Sequence, residues 1–121
     1  MELPSPLPDE LAELVAARFR LLAEPMRVRL FDRLRGGEAT ASELAVKLGT
    51  SQQNVSKHLA LLADAGVLAR HRDANCVYYR IADETVIVLC EQVCGSLQQR
   101  LLHLADLVAR PVEPELERSP R

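Results

Sequence analysis

Ser42-Glu-Leu-Ala-Val-Lys-Leu-Gly-Thr-Ser-Gln-Gln-Asn-Val-Ser-Lys-His-Leu-Ala-Leu-Leu62 decides the fold. Leu44, Val46 and Leu48 mark a short helix that Gly49 stops, and Thr40-Ala-Ser-Glu43 ahead of it is a capping signal. Thr50 or Ser51 then caps a second helix, from about Gln52 to Ala65, which Gly66 stops. Leu44 and Leu48 are placed to pack against Val55, Leu59 and Leu62, and that burial sets the angle between the helices. The opposite face of the second helix carries Ser51, Gln52, Gln53, Ser56 and Lys57, crowded at its N-terminal end. In a helix-turn-helix that end enters the major groove of DNA. Gln can pair bidentately with adenine and Ser can read either strand, while Lys57 and the first backbone amides suit phosphate. His58 has two readings: a phosphate contact or pH sensor, or a packed, internally bonded histidine.

The flanking segments complete a winged version of this motif. Residues 1–8 read as a flexible lead. From Asp9, the expected N-cap, to about Ala23, the residues Leu11, Leu14, Val15, Phe19 and Leu22 recur at helical spacing. Pro25 starts another helix through Met26, Val28, Leu30, Phe31 and Leu34, ended by Gly36-Gly37. Beyond Gly66, Val67–Arg72 and Cys76–Ile81 are strand-like runs joined by the turn residues Asp73-Ala74-Asn75, hence a β-hairpin. Its Arg70, His71, Arg72 and Arg80 form a cationic ribbon suited to the DNA backbone. Asp83 caps a last helix running to about Ala109, closed by Arg110-Pro111. The expected architecture is mostly α with a small β-hairpin (α+β), five helices and a two-stranded wing. Its single domain spans 9–109, and a disordered tail spans 110–121.

Composition agrees. The chain has 121 residues, room for one core, with 48% apolar and 26% charged residues. The net charge of −2 conceals a division, since residues 47–82 carry five Lys/Arg against two acids, whereas 1–24 and 83–121 are each at −3. A basic centre between acidic ends supports phosphate contact, because the local field decides. Two Phe, two Tyr and no Trp argue against a single-strand binder that works by stacking. No apolar run approaches a membrane span, and the acidic, proline-rich opening MELPSPLPDE is not expected to be a secretory signal. Three cysteines in such a chain imply reduced thiols and a cytoplasmic location rather than a disulfide framework.

Three segments carry a family resemblance: Ala23-Glu-Pro-Met-Arg-Val-Arg-Leu-Phe-Asp-Arg-Leu34, Ser51-Gln-Gln-Asn-Val-Ser-Lys-His-Leu-Ala-Leu-Leu-Ala-Asp-Ala-Gly-Val-Leu68 and Val77-Tyr-Tyr-Arg-Ile81. In this order they resemble the ArsR/SmtB family of bacterial transcriptional repressors, over about residues 10–105. The resemblance implies a homodimer on a palindromic, double-stranded operator. It also implies release when a metal ion, a metalloid or a thiol-reactive signal binds. The wing departs from the pattern: Arg72-Asp-Ala-Asn75 stands where members usually carry a Gly and a further basic residue.

The last helix supplies a dimer seam and a switch. At 100° per residue, Val86, Cys90, Val93, Leu97, Leu101, Leu104 and Val108 fall within an arc of roughly 80°. With Leu11, Leu14 and Val15 of the first helix, this stripe reads as a subunit interface. Cys90 and Cys94 are i, i+4 neighbours, and two such thiolates suit a thiophilic ion: arsenite, antimonite, mercury, cadmium or cuprous copper. Cys76 is the candidate third ligand, though a regular hairpin puts it near the wing tip. Three alternatives stand: the same thiols acting as a redox or persulfide switch, Cys90 as a small buried hydrophobe, and a constitutive dimer with no inducer. Two metal sites of the family are not expected. The third-helix thiolate site would need Cys at Ala45 and Lys47, and the zinc site of Asp/His type would fall on Asp83, Thr85, Ser96 and Gln99. His103 and Asp106 have metal-ligand spacing but read as a solvated pair. No nucleophile elbow, phosphate loop or paired-carboxylate motif suggests an enzyme.

Overall fold

The computed structural model describes residues 2–109, in the order α1 (Asp9–Leu21), α2 (Pro25–Leu34), β1 (Ala39–Thr40), α3 (Ala41–Leu48), α4 (Gln52–Asp64), β2 (Leu68–Asp73), β3 (Cys76–Ile81) and α5 (Glu84–Ala109). The tail expected over 110–121 lies outside the described residues. The described residues divide inside α5, one unit ending at Cys90 and a second beginning at Glu91. Among them no helix is long and apolar enough to cross a membrane.

Local chemistry explains the helix ends. Pro8, extended at φ −61° and ψ 145°, precedes α1 without a side-chain cap. Asp9 is therefore a residue of the first turn, not the N-cap that its side chain suggested; there its charge and that of Glu10 favour the positive helix end. Glu24 caps α2, accepting from the amides of Met26 and Arg27, with Pro25 at the first helical position. Thr40 and Glu43 form a reciprocal capping box on α3: Glu43 N donates to Thr40 Oγ1 at 3.2 Å and Thr40 N to Glu43 Oε1 at 2.9 Å. Ser51 caps α4, accepting from Asn54 N at 3.1 Å. Between α3 and α4, Gly49 takes φ 66°, a left-handed value that glycine adopts without a Cβ penalty.

The core lies in the first unit. Leu30, Phe31 and Leu34 of α2, Leu44 of α3, Val55, Leu59 and Leu62 of α4, Val67, Leu68 and the α5 residues Val86 and Ile87 are all buried. Leu44 meets Val55, Leu59 and Leu62 in that cluster, as the 3.6-residue period requires. The sheet is antiparallel with order β1-β3-β2, so the expected hairpin gains a third strand. Ala39 and Thr40 pair with Tyr79 and Tyr78. Two residues are too few to show a period, so this strand left no mark on the sequence reading. β2 runs one residue later than expected, ending at Asp73, and the turn narrows to Ala74 and Asn75. Val67 is not in the strand: it is fully buried, and its carbonyl accepts from the amides of Ala82 and Asp83. That pair ties the base of the hairpin to the start of α5.

Candidate nucleic-acid interface

α4 is divided by burial. Val55, Leu59 and Leu62 are sealed in the core, while Ser51, Gln52, Gln53 and Lys57 are exposed and Ser56 is half-buried. The Ser51 cap and a hydrogen bond from Asn54 Nδ2 to Thr50 Oγ1, 3.2 Å, fix the turn that presents this polar end. A cleft of about 340 Å³ opens beside it, lined among others by Thr40, Ser42, Gln52, Ser56, Cys76 and Tyr79. Gln52 and Ser56 are thus brought next to strand β3.

His58 does not share this polar face. It is 9% exposed and belongs to the buried stripe, so it is corrected from a DNA contact to an internal residue. Its Nδ1 lies 3.4 Å from Arg27 Nη1 and its Nε2 3.8 Å from Glu24 Oε2. Burial, joined by the charges of Arg27 and Lys57, pushes its pKa below the ordinary value, and the Glu24 carboxylate opposes this. Arg27 and Glu24 are the site residues that sequence reasoning missed. The available signal was Glu24-Pro25, an acid immediately before a helix-starting proline.

The cations of the wing are split between two faces. Cross-strand partners share a face, and the register pairs Arg70 with Tyr79, Arg72 with Val77, Ala69 with Arg80 and His71 with Tyr78. Arg70 and Arg72 therefore stand on one face, with Leu68, and Arg80 stands on the other, with His71. The single ribbon expected from sequence is corrected accordingly. Arg70 lies 3.9 Å from Asp64 of α4. His71 stacks on Tyr78 with ring centroids 5.6 Å apart, and its Nε2 is 3.4 Å from Glu38 Oε2. Ala74 takes φ 58° at the wing turn, a left-handed value that costs a non-glycine residue about 1 kcal/mol.

The expected seam on α5 also divides. Val86 is fully buried in the chain's own core and is withdrawn from the dimer contacts, because intrachain packing already covers it. Cys90 is half-buried and packs against that core. Val93, Leu97, Leu101 and Leu104 are 46–64% exposed. On α1, which has no buried residue, Leu14 and Val15 are exposed and Leu11 is half-buried.

Cys90 and Cys94 occupy positions i and i+4 of α5, and Cys94 is exposed. Cys76 is the first residue of β3, paired with Asp73 at the hairpin tip, while the strand runs to Ile81 before α5 begins. Five strand steps of ~3.3 Å separate it from that end, which corrects its role as a third ligand. Among the described residues, no group of three or more His, Cys, Asp or Glu side chains gathers as a metal site. Asp83, where the zinc pattern would begin, is otherwise engaged. It accepts from Thr85 N and Oγ1, and its carboxylate lies 3.6 Å from Arg18 Nη1. The Thr85 hydrogen bonds, aided by Arg18, hold its carboxyl below the ordinary range against the effect of burial.

Known proteins share this geometry. A family model described as a helix-turn-helix domain matches residues 22–71. The HTH-type transcriptional regulator KmtR of Mycobacterium tuberculosis is 39% identical over 83 residues, covering 69% of this chain and 64% of KmtR. The crystal structure of the antimony-specific transcriptional repressor AntR superposes with a TM-score of 0.73 at 31% identity, covering 78% of this chain and 86% of AntR. A solution structure from Mycobacterium bovis, the homodimeric winged helix-turn-helix domain of Mb0332, a possible ArsR-family regulator, gives 0.70 at 30% identity. It covers 79% of this chain and 92% of that one.

Proposed function

The chain belongs to the ArsR/SmtB family of winged helix-turn-helix transcriptional regulators, which are not enzymes, and on that footing we propose that it is a homodimeric repressor. In this reading it sits on a palindromic operator and is released when a thiophilic metal or metalloid ion binds Cys90 and Cys94. The observation that carries the reading is the division of α4, a polar N-terminal face exposed above a sealed apolar stripe. Gln52, Gln53 and Ser56 read base edges, while Ser51, Lys57, Arg70, Arg72 and Arg80 meet phosphate. The exposed α5 stripe, with α1, supplies the two-fold contact that spaces two such helices about one DNA turn, ~34 Å, apart. The homodimeric relative supports this assembly.

The switch follows from the donors. Two thiols one helical turn apart give two ligands of a soft-ion site, and a third comes from the second subunit. AntR, named for antimony, supports a metalloid as inducer. When bound, such an ion supplies cross-linking of thiolates on the dimer helix. The chain's own part is to hold Cys90 against the core and Cys94 toward solvent.

Anisotropy titrations of operator and random duplex test both levels. Gln53→Ala should weaken operator binding about ten-fold and random binding little, as loss of one bidentate base contact requires. Equal losses on both duplexes refute the assignment of α4. Under reducing conditions a panel of soft ions should release the wild type, and Cys90→Ser with Cys94→Ser should bind operator yet resist release. Release of that double variant removes the thiol site, and release by peroxide or polysulfide alone replaces the ion by oxidation.

A further inference from the structure

His58 takes one place in the buried stripe of α4, between the fully buried Val55 and Leu62. An imidazole so placed needs polar partners. Both come from α2, across the helix pair: Arg27 Nη1 at 3.4 Å from Nδ1 and Glu24 Oε2 at 3.8 Å from Nε2. A guanidinium only donates, so the nitrogen facing it must carry the lone pair. The ring proton then lies on Nε2 and faces the carboxylate. A second proton, on Nδ1, would set N–H against N–H and break the contact with Arg27.

Arg27 reaches the other way as well. Its Nε donates to the Leu21 carbonyl at 2.7 Å and its Nη2 to the Arg20 carbonyl at 3.0 Å. One guanidinium therefore joins the C-terminal end of α1, the start of α2 and the middle of α4. α1 has no fully buried residue, and these bonds add to the packing of Leu21 against the core and to the Arg18–Asp83 pair in holding it. Glu24 is held in turn as the cap of α2, by the amides of Met26 and Arg27.

Resting on the reading of α4 as the DNA-reading helix, we propose that Arg27, Glu24 and His58 form a titratable latch that positions α4. Neutral His58 completes the latch, and protonation opens it and weakens operator binding. His58 and Arg27 act as positioning residues, without touching DNA. The charged groups facing the ring are Glu24 and Arg27 of α2 and Lys57 beside it on α4, while α1 contributes backbone carbonyls to Arg27. Burial holds the pKa below its ordinary 6.5, so the latch is complete at neutral pH and is lost as pH falls through the depressed value.

The wing holds a second histidine, His71, whose Nε2 lies 3.4 Å from Glu38 Oε2 beside the proposed phosphate contacts. The test therefore uses a His71→Gln parent, at fixed salt. Its operator affinity should fall about ten-fold from pH 7.5 to 5.5, the scale of one hydrogen bond to a charged group. Adding His58→Gln keeps an acceptor for Arg27 and a donor for Glu24 but cannot titrate. It should bind like the parent at pH 7.5 and flatten the profile to within about two-fold. His58→Leu, apolar and able to fill the stripe, should lose about ten-fold at pH 7.5 with helical content intact. An unchanged pH slope in the His58→Gln protein, or wild-type affinity in folded His58→Leu, overturns the latch. A parent that prefers no duplex at pH 7.5 instead overturns the reading of α4 beneath it.

Discussion

α4 and α5 are both amphipathic, and only one of them finds its partner inside the chain. The apolar stripe of α4 is closed over by α2, α3 and the base of the wing, so Val55, Leu59 and Leu62 reach zero exposure. The stripe of α5 keeps time for six turns, but of its residues only Val86, in the first turn beside the buried Ile87, is buried. From Val93 on, large apolar side chains at the same helical angle stand in solvent. A monomer rarely leaves so continuous an apolar stripe uncovered. The contrast teaches that identical periodicity can mark a stripe that folding covers and one that it leaves exposed, the face given to the proposed second subunit.

The contrast is broken most forcefully from the α5 side. Leu97→Glu with Leu101→Glu places two charges in the exposed stripe of a helix that does not use it for folding. The subunit should keep its helical content yet sediment as a monomer. With one reading helix left per particle, operator affinity should fall by about 100-fold or more, as loss of bivalent attachment predicts. On α4 the matching change is Leu59→Ala. It should cost about 3 kcal/mol of folding stability by urea titration, the scale for a fully buried leucine. A double variant that remains dimeric, or one that unfolds as Leu59→Ala does, would show that the α5 stripe belongs to the fold after all.

This difference also marks what the sequence could tell. Local signals were sufficient where a serine or threonine closes its own helix end, as with Thr40 and Glu43, or Ser51, and fell short at Glu24, whose carboxylate caps α2. The helix order, the turn at Gly49 and the face of α4 bearing Gln52 and Gln53 followed from the 3.6-residue period. The period identifies a face and is silent about what covers it. Val86 and Leu97 lie at nearly the same helical angle, and only tertiary packing separates them. His58 was ambiguous for the same reason, since its partners Glu24 and Arg27 are about thirty residues away in sequence. The split of Arg80 from Arg70 and Arg72 depended on strand register, which a narrower turn altered by one residue.

The finest test of the comparison is Gly95→Ala, on the side of α5 away from the stripe. Counting 100° per residue from Val86 puts Gly95 near 180°, opposite the residues assigned to the partner subunit. A Cβ built there meets nothing within 4 Å, so the substitution meets no steric resistance inside the chain. Glycine in a helix interior costs roughly 0.5–1 kcal/mol relative to alanine, and the variant should recover about that much. The gain should appear as a melting temperature raised by a few degrees at equal protein concentration, with dimerisation and operator affinity unchanged. If the second subunit packs against the seam, the added methyl stays in solvent and only helix propensity responds. If Gly95→Ala instead weakens the dimer, the partner approaches from the glycine side, and the division of α5 into a covered and an open face must be rotated by half a turn.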